Sequence, residues 1–369
     1  MFVNAQGSPA LLAPADYWCP SHFTTEQKSL GNTWFWVCLK GEVSQAFQYC
    51  SRTIQGVPVL VWNFNGRLRA FKNVCVHRHS KIVPDGRGRG ESVFCQYHGW
   101  EYNVEGKVRY VPDVKGFQKT PWPALFLEEY LVETLGDCVL ISFNSGSSSL
   151  RTSLGEKLPQ EIDSHFDGWK LFHQEDLEIK VNWKTIVENQ IEGYHVPRVH
   201  PKIFKDYRDE KWHDHILEET YTRFFDALPL STEIVGSLYG VLARLMVSEK
   251  NPKRFTHTHV FPNLLFYYGS LFSNALIIEP IGAEKTRLRS FCYCPSQLKW
   301  PWFTQPIRFG LQFSFKLAFK RIFREDLELF DEIQQGLRHA SSRGVLSNRE
   351  ERVLAFQRYL QELMRRGHA

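Results

Sequence analysis

The sequence predicts an α+β protein in which a small antiparallel β domain is followed by a larger domain of mixed helices and strands. From about Arg52 to Phe143, short alternating apolar runs are separated by turn residues, as in small β domains. Beyond this segment, two C-terminal stretches repeat their apolar residues at helical spacing instead. The length of 369 residues exceeds that of a typical single core, which favours two domains.

Composition narrows the class of protein. The chain is 43% hydrophobic, as folded proteins are, and its net charge of +5 is too weak and dispersed to indicate nucleic-acid binding, although it permits docking of an acidic partner. The N-terminus has no basic region followed by an apolar one, so we expect no secretory signal and a cytoplasmic location. The longest apolar stretch, Leu264 to Ile278, is broken by polar residues and predicts strands, with no membrane span. The eight cysteines are dispersed, unlike a secreted disulfide framework.

Turn residues organise the first half of the chain. Three dipeptides are expected to form hairpin turns, namely Asn65-Gly66, Asp85-Gly86 and Glu105-Gly106. The stretch from Ser145 to Glu156 is rich in Ser and Gly. It predicts a linker or a surface loop after the β domain.

The second half alternates between helical and strand-like patterns. Val181 to Tyr194 is compatible with a helix, and Phe255 to Cys294 alternates like a sheet. Ile307 to Leu337 and Asn348 to Arg366 predict two further helices, the second with Ser347 as its N-cap.

Two Cys/His pairs form the first candidate metal site. Cys75 and His77 are followed, after 17 residues, by Cys95 and His98. A Rieske [2Fe–2S] cluster needs two Cys on one iron and two His on the other. A zinc site and two unrelated pairs remain alternatives, although zinc fingers usually group their two cysteines together before two histidines. His79 is a surplus imidazole, which we expect at the surface or behind a ligand.

The same segment resembles the CxH…CxxH motif of Rieske proteins, including its CxYHGWxY continuation. Respiratory Rieske proteins carry an extra cysteine in each loop. This chain lacks both cysteines, so the resemblance implies the lower-potential oxygenase or ferredoxin type.

A second candidate site combines His195 and His200 with a distant carboxylate. Pro197 is expected to interrupt the helix between them and bring the second imidazole back towards the first. Non-haem Fe(II) oxygenases bind their metal with two His and one carboxylate. Asp326 lies on the apolar stripe of the long C-terminal helix, where an aspartate is costly unless it is paired or metal-bound. The stripe consists of Phe319, Ile322, Phe323, Phe330 and Ile333, with Glu325 on a charged face. A misjudged helix phase or a buried ion pair remains the alternative.

These residues resemble the signature of Rieske ring-hydroxylating oxygenase α-subunits. The matching positions are the NWK at 182–184, Glu192, His195, His200 and the Glu325-Asp326 pair. The resemblance runs from about Tyr17 to Leu363. It implies a Rieske antiparallel β domain joined to a helix-grip (START-like) domain with an antiparallel sheet and long C-terminal helices. The corresponding ranges are an N-terminal segment at 1–40, a Rieske domain at 41–150 and a catalytic domain at 151–369.

The resemblance also implies residue roles and an assembly. His195, His200 and Asp326 would bind a mononuclear Fe(II). Glu192 resembles the acidic bridge that carries electrons from the cluster of one subunit to the iron of the next, in a homotrimer. Many members carry Asp there, whereas Glu occurs in some oxygenases of quaternary ammonium compounds.

The implied activity is that of the terminal component of a multicomponent Rieske oxygenase. Such a mono- or dioxygenase uses O₂ to hydroxylate, dihydroxylate or oxidatively demethylate a small substrate. The sequence has no nucleotide-binding fingerprint, so electrons from NAD(P)H should arrive through a separate reductase or ferredoxin. An aromatic substrate is favoured, as in aromatic hydrocarbon catabolism, and a quaternary ammonium compound such as carnitine, choline or betaine is next. His257 and His259 alternate on a predicted strand, and we expect one face of it to border the pocket.

Two other classes remain open at this stage. A Rieske-type electron carrier would leave the His/His/Asp set without purpose. A non-catalytic helix-grip ligand-binding protein would retain the fold with a vestigial iron site. Iron content separates them, since the oxygenase binds about three irons per chain and the others about two.

Overall fold

The computed structural model describes residues 7–117, 125–202, 214–226, 255–269, 272–296, 302 and 305–366. The chain divides into two compact units, Leu30–Phe166 and Met1–Ser29 with Asp167–Ala369. The α+β class predicted from the sequence is confirmed, with antiparallel sheets in both units and long helices near the C-terminus.

The elements are numbered along the chain. The strands are β1 (Ser8–Pro9), β2 (Phe35–Leu39), β3 (Gln48–Ile54), β4 (Val57–Phe64), β5 (Arg67–Lys72), β6 (Gly86–Arg89), β7 (Ser92–Phe94), β8 (Glu101–Asn103), β9 (Val108–Tyr110), β10 (Glu129–Leu135), β11 (Cys138–Ser142), β12 (Trp169–Ile179), β13 (Asp214–Leu217), β14 (Tyr221–Asp226), β15 (Phe255–Val260), β16 (Leu264–Tyr268), β17 (Ser273–Gly282), β18 (Lys285–Pro295) and β19 (Val345–Leu346). The α-helices are α1 (Pro20–Leu30), α2 (Leu150–Leu154), α3 (Lys157–Phe166), α4 (Trp183–Ile191), α5 (Val196–Val199), α6 (Gln305–His339) and α7 (Glu351–Arg366).

The unit Leu30–Phe166 is built on two antiparallel sheets. A seven-stranded sheet has the order β2-β11-β10-β5-β4-β3-β6, and β7-β8-β9 form a three-stranded one. The unit extends beyond the range 41–150 expected from the sequence on both sides. On the N-terminal side β2 pairs with β11, and on the C-terminal side α3 contacts β10. Part of the stretch predicted as a linker therefore forms α2.

Two of the three predicted hairpin turns are present. Asn65 and Gly66 both have positive φ, +50° and +93°, and join β4 to β5, the geometry that Asn-Gly favours. Glu105 and Gly106 lie between the paired strands β8 and β9. The prediction for Asp85-Gly86 is wrong, because Gly86 begins β6, which pairs with the distant strand β3.

The unit Met1–Ser29 with Asp167–Ala369 contains one seven-stranded antiparallel sheet of order β12-β18-β17-β16-β15-β14-β13. Helix α4 contacts β17, α6 and α7. Trp183 of α4 meets Phe356 of α7 edge to face, with ring centroids 5.6 Å apart. Burying these two large rings holds α4 between sheet and helix.

The N-terminal segment belongs to the same unit because it supplies polar partners for buried groups of α4. The ammonium of Lys184 is fully buried and lies 2.6 Å from Glu26. Glu26 also accepts a hydrogen bond from the Trp183 indole at 2.6 Å. A buried ammonium needs such a partner, so α1 and α4 are tied together.

The predicted C-terminal helix is present as α6, but its buried face differs from the predicted one near the end of the stripe. Asp326 and Phe330 are buried, as predicted, with 1% and 0% of their surface exposed. Ile333 is 40% exposed, whereas Gln334 is buried. The buried stripe continues from Phe330 by a step of four instead of three, which is the drift expected of 3.6 residues per turn.

Among the described residues, no helix has the length and the apolar composition needed to cross a bilayer.

Candidate functional site

Cys75 and Cys95 begin two loops with the same backbone hydrogen bonds. In each loop the cysteine N–H donates to the carbonyl five residues later, Ser80 or Trp100, at 2.8 Å. Its carbonyl accepts from the N–H four residues later, that of His79 or Gly99, at 2.9 and 2.8 Å. Both of these later residues have positive φ. The sequence therefore builds the same tight loop twice, with one Cys and one His in each.

The two loops bring their four candidate ligands together. Cys75 and Cys95 are buried at 1% and 3% exposure, within the aromatic core of the unit. The rings of His77 and His98 lie 4.8 Å apart, and His77 also stacks on Trp100. His98 is exposed, so one imidazole faces the surface. Two buried thiols beside two outer imidazoles suit a [2Fe–2S] cluster, whose two irons take different ligands.

Tyr102 adds a contact to the sulfur side of this site. Its hydroxyl donates to Cys75 Sγ at 3.0 Å and accepts from the Val76 N–H at 3.1 Å. Burial raises the pKa of the Cys75 thiol, and the Tyr102 hydrogen bond opposes that shift. His79 is exposed and takes the left-handed position that Gly99 takes in the other loop, in agreement with its expected place at the surface.

His195, His200 and Asp326 form a second site in the unit that contains α4 to α7. One possible ligand atom of each lies within 4.8 Å of the others. Asp326 Oδ1 is 3.1 Å from His200 Nε2 and 3.7 Å from His195 Nε2. This oxygen is buried, yet it accepts no hydrogen bond among the described residues. One carboxylate oxygen and two imidazole nitrogens that converge on one buried space fit the ligand set of mononuclear Fe(II).

The break between α4 and α5 positions the two histidines, though not in the predicted way. Helix α4 already ends at Ile191, with Glu192 as its C-cap, and Pro197 lies in the first turn of α5. Proline is favoured at that position because it has no N–H to leave unpaired. The chain thus turns before His195, and His200 follows directly after α5.

Two glutamates hold the opposite edges of these imidazoles. The Glu192 carboxylate contacts His195 Nδ1 and accepts the backbone N–H of Tyr194. Glu325 Oε2 lies 2.8 Å from His200 Nδ1. Both contacts orient the rings so that Nε2 faces the space beside Asp326, an arrangement typical of histidines that bind a metal.

Glu325 is the residue that the sequence analysis assigned to a charged face. Burial acts to raise the pKa of Glu325, but hydrogen bonds from His200 and Arg321 lower it overall. Burial acts to lower the pKa of His200, but its contacts with Asp326 and Glu325 raise it overall. In the sequence, the adjacency of Glu325 to Asp326 is the one feature that connects Glu325 with the candidate iron site.

A cavity of about 230 Å³ opens beside the second site. Its described lining includes His195, His200, Asp326, Glu192, Asn189, Gln190, His215, Phe224, Phe255, His257, Tyr267, Asn274, Leu276, Phe315, Phe319, Ile322, Phe323, Arg349 and Arg352. Although many of these residues are polar, most of the surface that they expose to the cavity is apolar, as in binding sites for small organic molecules. We expected one face of the strand that carries His257 and His259, now β15, to border the pocket. His257 does line the cavity, whereas the ring of His259 lies 2.8 Å from the Pro262 carbonyl and is not part of the described lining.

Both halves of the chain match models of known protein families. A model of the Rieske [2Fe–2S] domain matches residues 33–125, and the model "ring hydroxylating alpha subunit (catalytic domain)" matches residues 166–366. The second match alone covers more than half of the chain.

Individual relatives act on different substrates. Choline monooxygenase of Beta vulgaris chloroplasts is 25% identical over 261 residues, which cover 67% of this chain and 54% of that protein. The large subunit of anthranilate 1,2-dioxygenase of Burkholderia cepacia is 30% identical over 186 residues, or 46% of this chain and 42% of that protein. The chain thus spans about half the length of each of these relatives.

Among solved structures, a quaternary ammonium Rieske monooxygenase studied for carnitine oxidation and inter-subunit electron transfer has the same fold. It superposes with a TM-score of 0.75 at 21% identity, covering 98% of this chain and 95% of that one. The two family matches, of which the catalytic-domain match covers more than half of the chain, show that the chain belongs to the family of Rieske ring-hydroxylating oxygenase α-subunits, whose cofactors are a Rieske [2Fe–2S] cluster and a mononuclear iron.

Proposed function

We propose that this protein is the terminal component of a multicomponent Rieske oxygenase. It uses O₂ and electrons from NAD(P)H, delivered by a separate reductase, to hydroxylate, dihydroxylate or oxidatively demethylate a small organic substrate. The observation that carries the proposal is the convergence of His195, His200 and Asp326 at the wall of an aromatic cavity. An electron carrier has no use for such a cavity.

The proposal assigns the residues of the two candidate sites to two metal centres. Cys75, His77, Cys95 and His98 would hold the cluster, and His195, His200 and Asp326 would hold the mononuclear iron. Bound there, the iron would supply O₂ activation, and the [2Fe–2S] cluster would supply electrons one at a time.

The protein contributes orientation and the exclusion of water. Glu192 and Glu325 fix the imidazoles through their Nδ1 edges. Phe315, Phe319 and Phe323 of α6 line the cavity with apolar rings. A substrate held against these rings would lie beside His195, His200 and Asp326 and away from bulk water, which suppresses side reactions.

The cavity supports both proposed substrate classes. Stacked rings favour an aromatic compound, and the same rings can also face a quaternary ammonium group through cation–π contacts. The relatives are divided in the same way, since one is named for choline and another for anthranilate.

The test is reconstituted turnover. The purified chain, loaded with both metal centres, is combined with a Rieske oxygenase reductase, NADH and a panel of aromatic and quaternary ammonium compounds. We expect at least one compound for which product appears in step with NADH consumption. The matched control is Asp326→Ala, whose cluster should be reduced by NADH through the reductase while no product forms. If no compound is converted while the cluster is reduced by NADH, the proposed oxygenase activity is wrong.

A further inference from the structure

The floor of the cavity is a row of residues that lie directly opposite one another across neighbouring strands. His257 of β15 faces Tyr267 of β16, and Tyr267 faces Asn274 of β17. All three line the cavity. The rings of His257 and Tyr267 stack, with centroids 4.1 Å apart and an angle of 8°. The sheet therefore places a polar row under the aromatic walls.

The contacts of His257 determine which ring nitrogen carries its proton. Its Nδ1 lies 3.0 Å from Nη1 of Arg352, and a guanidinium can only donate. Nδ1 must therefore be an acceptor without hydrogen. Burial, with the charge of Arg352 and the neighbouring His259, lowers the pKa of His257 well below its usual value. The ring is thus neutral, with its hydrogen on Nε2.

Among the residues that the structure describes, no group accepts the N–H of His257 Nε2, which is a buried donor. His257 is 4% exposed, and Nε2 has no hydrogen-bond partner among the described residues. Leaving such a donor unpaired costs about 1–3 kcal/mol, so an accepting group from outside the protein is favoured there. The bond from Arg352 to Nδ1 polarises the ring and strengthens the donor at Nε2.

The charges around the cavity favour an anionic acceptor at this end. Arg349 and Arg352 both belong to the lining. The acidic members of the described lining are Glu192 and Asp326, and both lie at the histidines of the metal site. Asn274 donates to Ser290, and its Oδ1 has no partner within the described part of the chain, so the opposite end of the row offers an acceptor instead. An anionic oxygen therefore belongs at His257.

We propose that the substrate of this cavity carries a carboxylate, which accepts a hydrogen bond from the Nε2–H of His257. The inference rests on the proposed function in taking this cavity as the substrate pocket. Among quaternary ammonium compounds it selects betaines over amino alcohols, and among aromatic compounds it selects aromatic acids over hydrocarbons. His257 is then a specificity-determining residue, with Arg352 as the positioning residue behind it.

The test compares carboxylates with neutral partners of similar shape. Calorimetric titration of the loaded full chain, without reductase, measures the Kd of benzoate against benzamide and of glycine betaine against choline. We expect the carboxylate of at least one pair to bind about tenfold more tightly than its partner. His257→Phe should reduce this ratio to about one, whereas His257→Gln, which keeps an amide donor, should retain part of it.

The matched control is His259→Gln. His259 lies on the same face of the same strand, and its Nε2 is already bonded to the Pro262 carbonyl. This variant should keep the ratio of the parent protein, which separates loss of the donor from general loosening of the sheet. Equal binding within both pairs, no binding of either carboxylate, or an unchanged ratio in His257→Phe would each overturn the inference. Because binding is measured without turnover, a carboxylate preference that depends on His257 would support the inference even if no compound were converted in the turnover assay, an outcome that would contradict only the proposed oxygenase activity.

Discussion

At the residue scale, Glu325 and Asp326 show how one step along a helix separates two tasks. Asp326 is 1% exposed and directs Oδ1 to the shared space with the two Nε2 atoms. Glu325 bonds to the far side of His200 and to Arg321 of its own helix. The first is placed to bind a metal directly, and the second to hold a ligand in its orientation.

Asp326→Ala should abolish binding of the mononuclear iron and turnover, because an aspartate supplies the single anionic ligand. Iron content should fall from about three to about two per chain. The visible and EPR spectra of the cluster should be unchanged, since its four ligands lie in the other unit. Iron analysis and EPR on the purified variant check this.

Glu325→Ala serves as the comparison for that experiment. Loss of a group that orients a ligand typically weakens metal binding about 10–100-fold, so this variant should still bind iron at raised concentrations. If Glu325→Ala lost the iron and Asp326→Ala kept full activity, our assignment of the two carboxylates would have to be exchanged.

Local motifs were predictable at this scale, and distant partners were not. Cys75, His77, Cys95 and His98 were expected to lie together in two short loops, and the structure brings the rings of His77 and His98 within 4.8 Å of each other. The contact of Glu325 with His200 joins residues 125 positions apart, and that of His257 with Arg352 joins residues 95 apart. Helical phase places Glu325 on a polar face, but it does not show which loop covers that face.

At the element scale, periodicity predicted the helices because each buries one face. Helices α6 and α7 appear close to the predicted ranges, and Ser347 caps the turn before α7 by accepting from the Arg349 N–H at 3.2 Å. The end of α4 was missed, since proline at 197 suggested a later break. Periodicity also failed at Ile333, where the true repeat of the helix shifts the buried position to Gln334.

A half-buried glutamate joins three segments of the unit Met1–Ser29 with Asp167–Ala369. Glu188 of α4 accepts hydrogen bonds from the Tyr17 hydroxyl at 2.7 Å and from Gln357 of α7 at 2.9 Å. Burial raises the pKa of Glu188 to about 7, although the bonds from Tyr17 and Gln357 lower it. The folded protein therefore holds this proton more tightly than the unfolded chain does.

Glu188→Gln should change how stability depends on pH. Because the folded pKa lies above the unfolded value of 4.5, the contribution of protonated Glu188 is complete below about pH 4.5 and is lost as pH rises through about 7. Relative to the glutamine variant, the free energy of unfolding of the parent protein should fall by on the order of 2 kcal/mol as the pH rises from 5 to 8. Thermal unfolding at several pH values measures the difference in midpoint, and parallel profiles would contradict the buried titration.

At the scale of the whole molecule, the order of the two halves was predictable and the path of the N-terminus was not. The Cys/His motif and the later His pair each identify one half. The residues up to Ser29 belong with the C-terminal part because backbone groups such as the Leu11 N–H, at 2.8 Å from Gln357, bond across 346 positions. No periodic pattern in the first residues indicates that partner.

Assembly into a ring would complete the electron path. We infer from the family resemblance that the Rieske centre of one subunit serves the iron centre of the next. Glu192 would lie at the boundary between them, in contact with His195 of its own chain, as here, and with His77 or His98 of the neighbouring subunit. Identical head-to-tail interfaces close into rings, and a trimer is the expected closure.

This arrangement predicts that two different inactive variants can restore one another. His77→Ala should lack the cluster and Asp326→Ala should lack the mononuclear iron, so neither should form product alone. In mixed rings, an intact cluster stands next to an intact iron centre at some interfaces, and turnover should return there.

Glu192→Gln should leave both centres filled and the cluster reducible, yet nearly stop product formation, whereas Glu192→Asp should retain partial activity. Sedimentation and product assays on the same samples check the assembly and the activity together. Full activity of a monomeric chain would contradict this arrangement, because a monomer has no neighbouring subunit to receive electrons from its cluster.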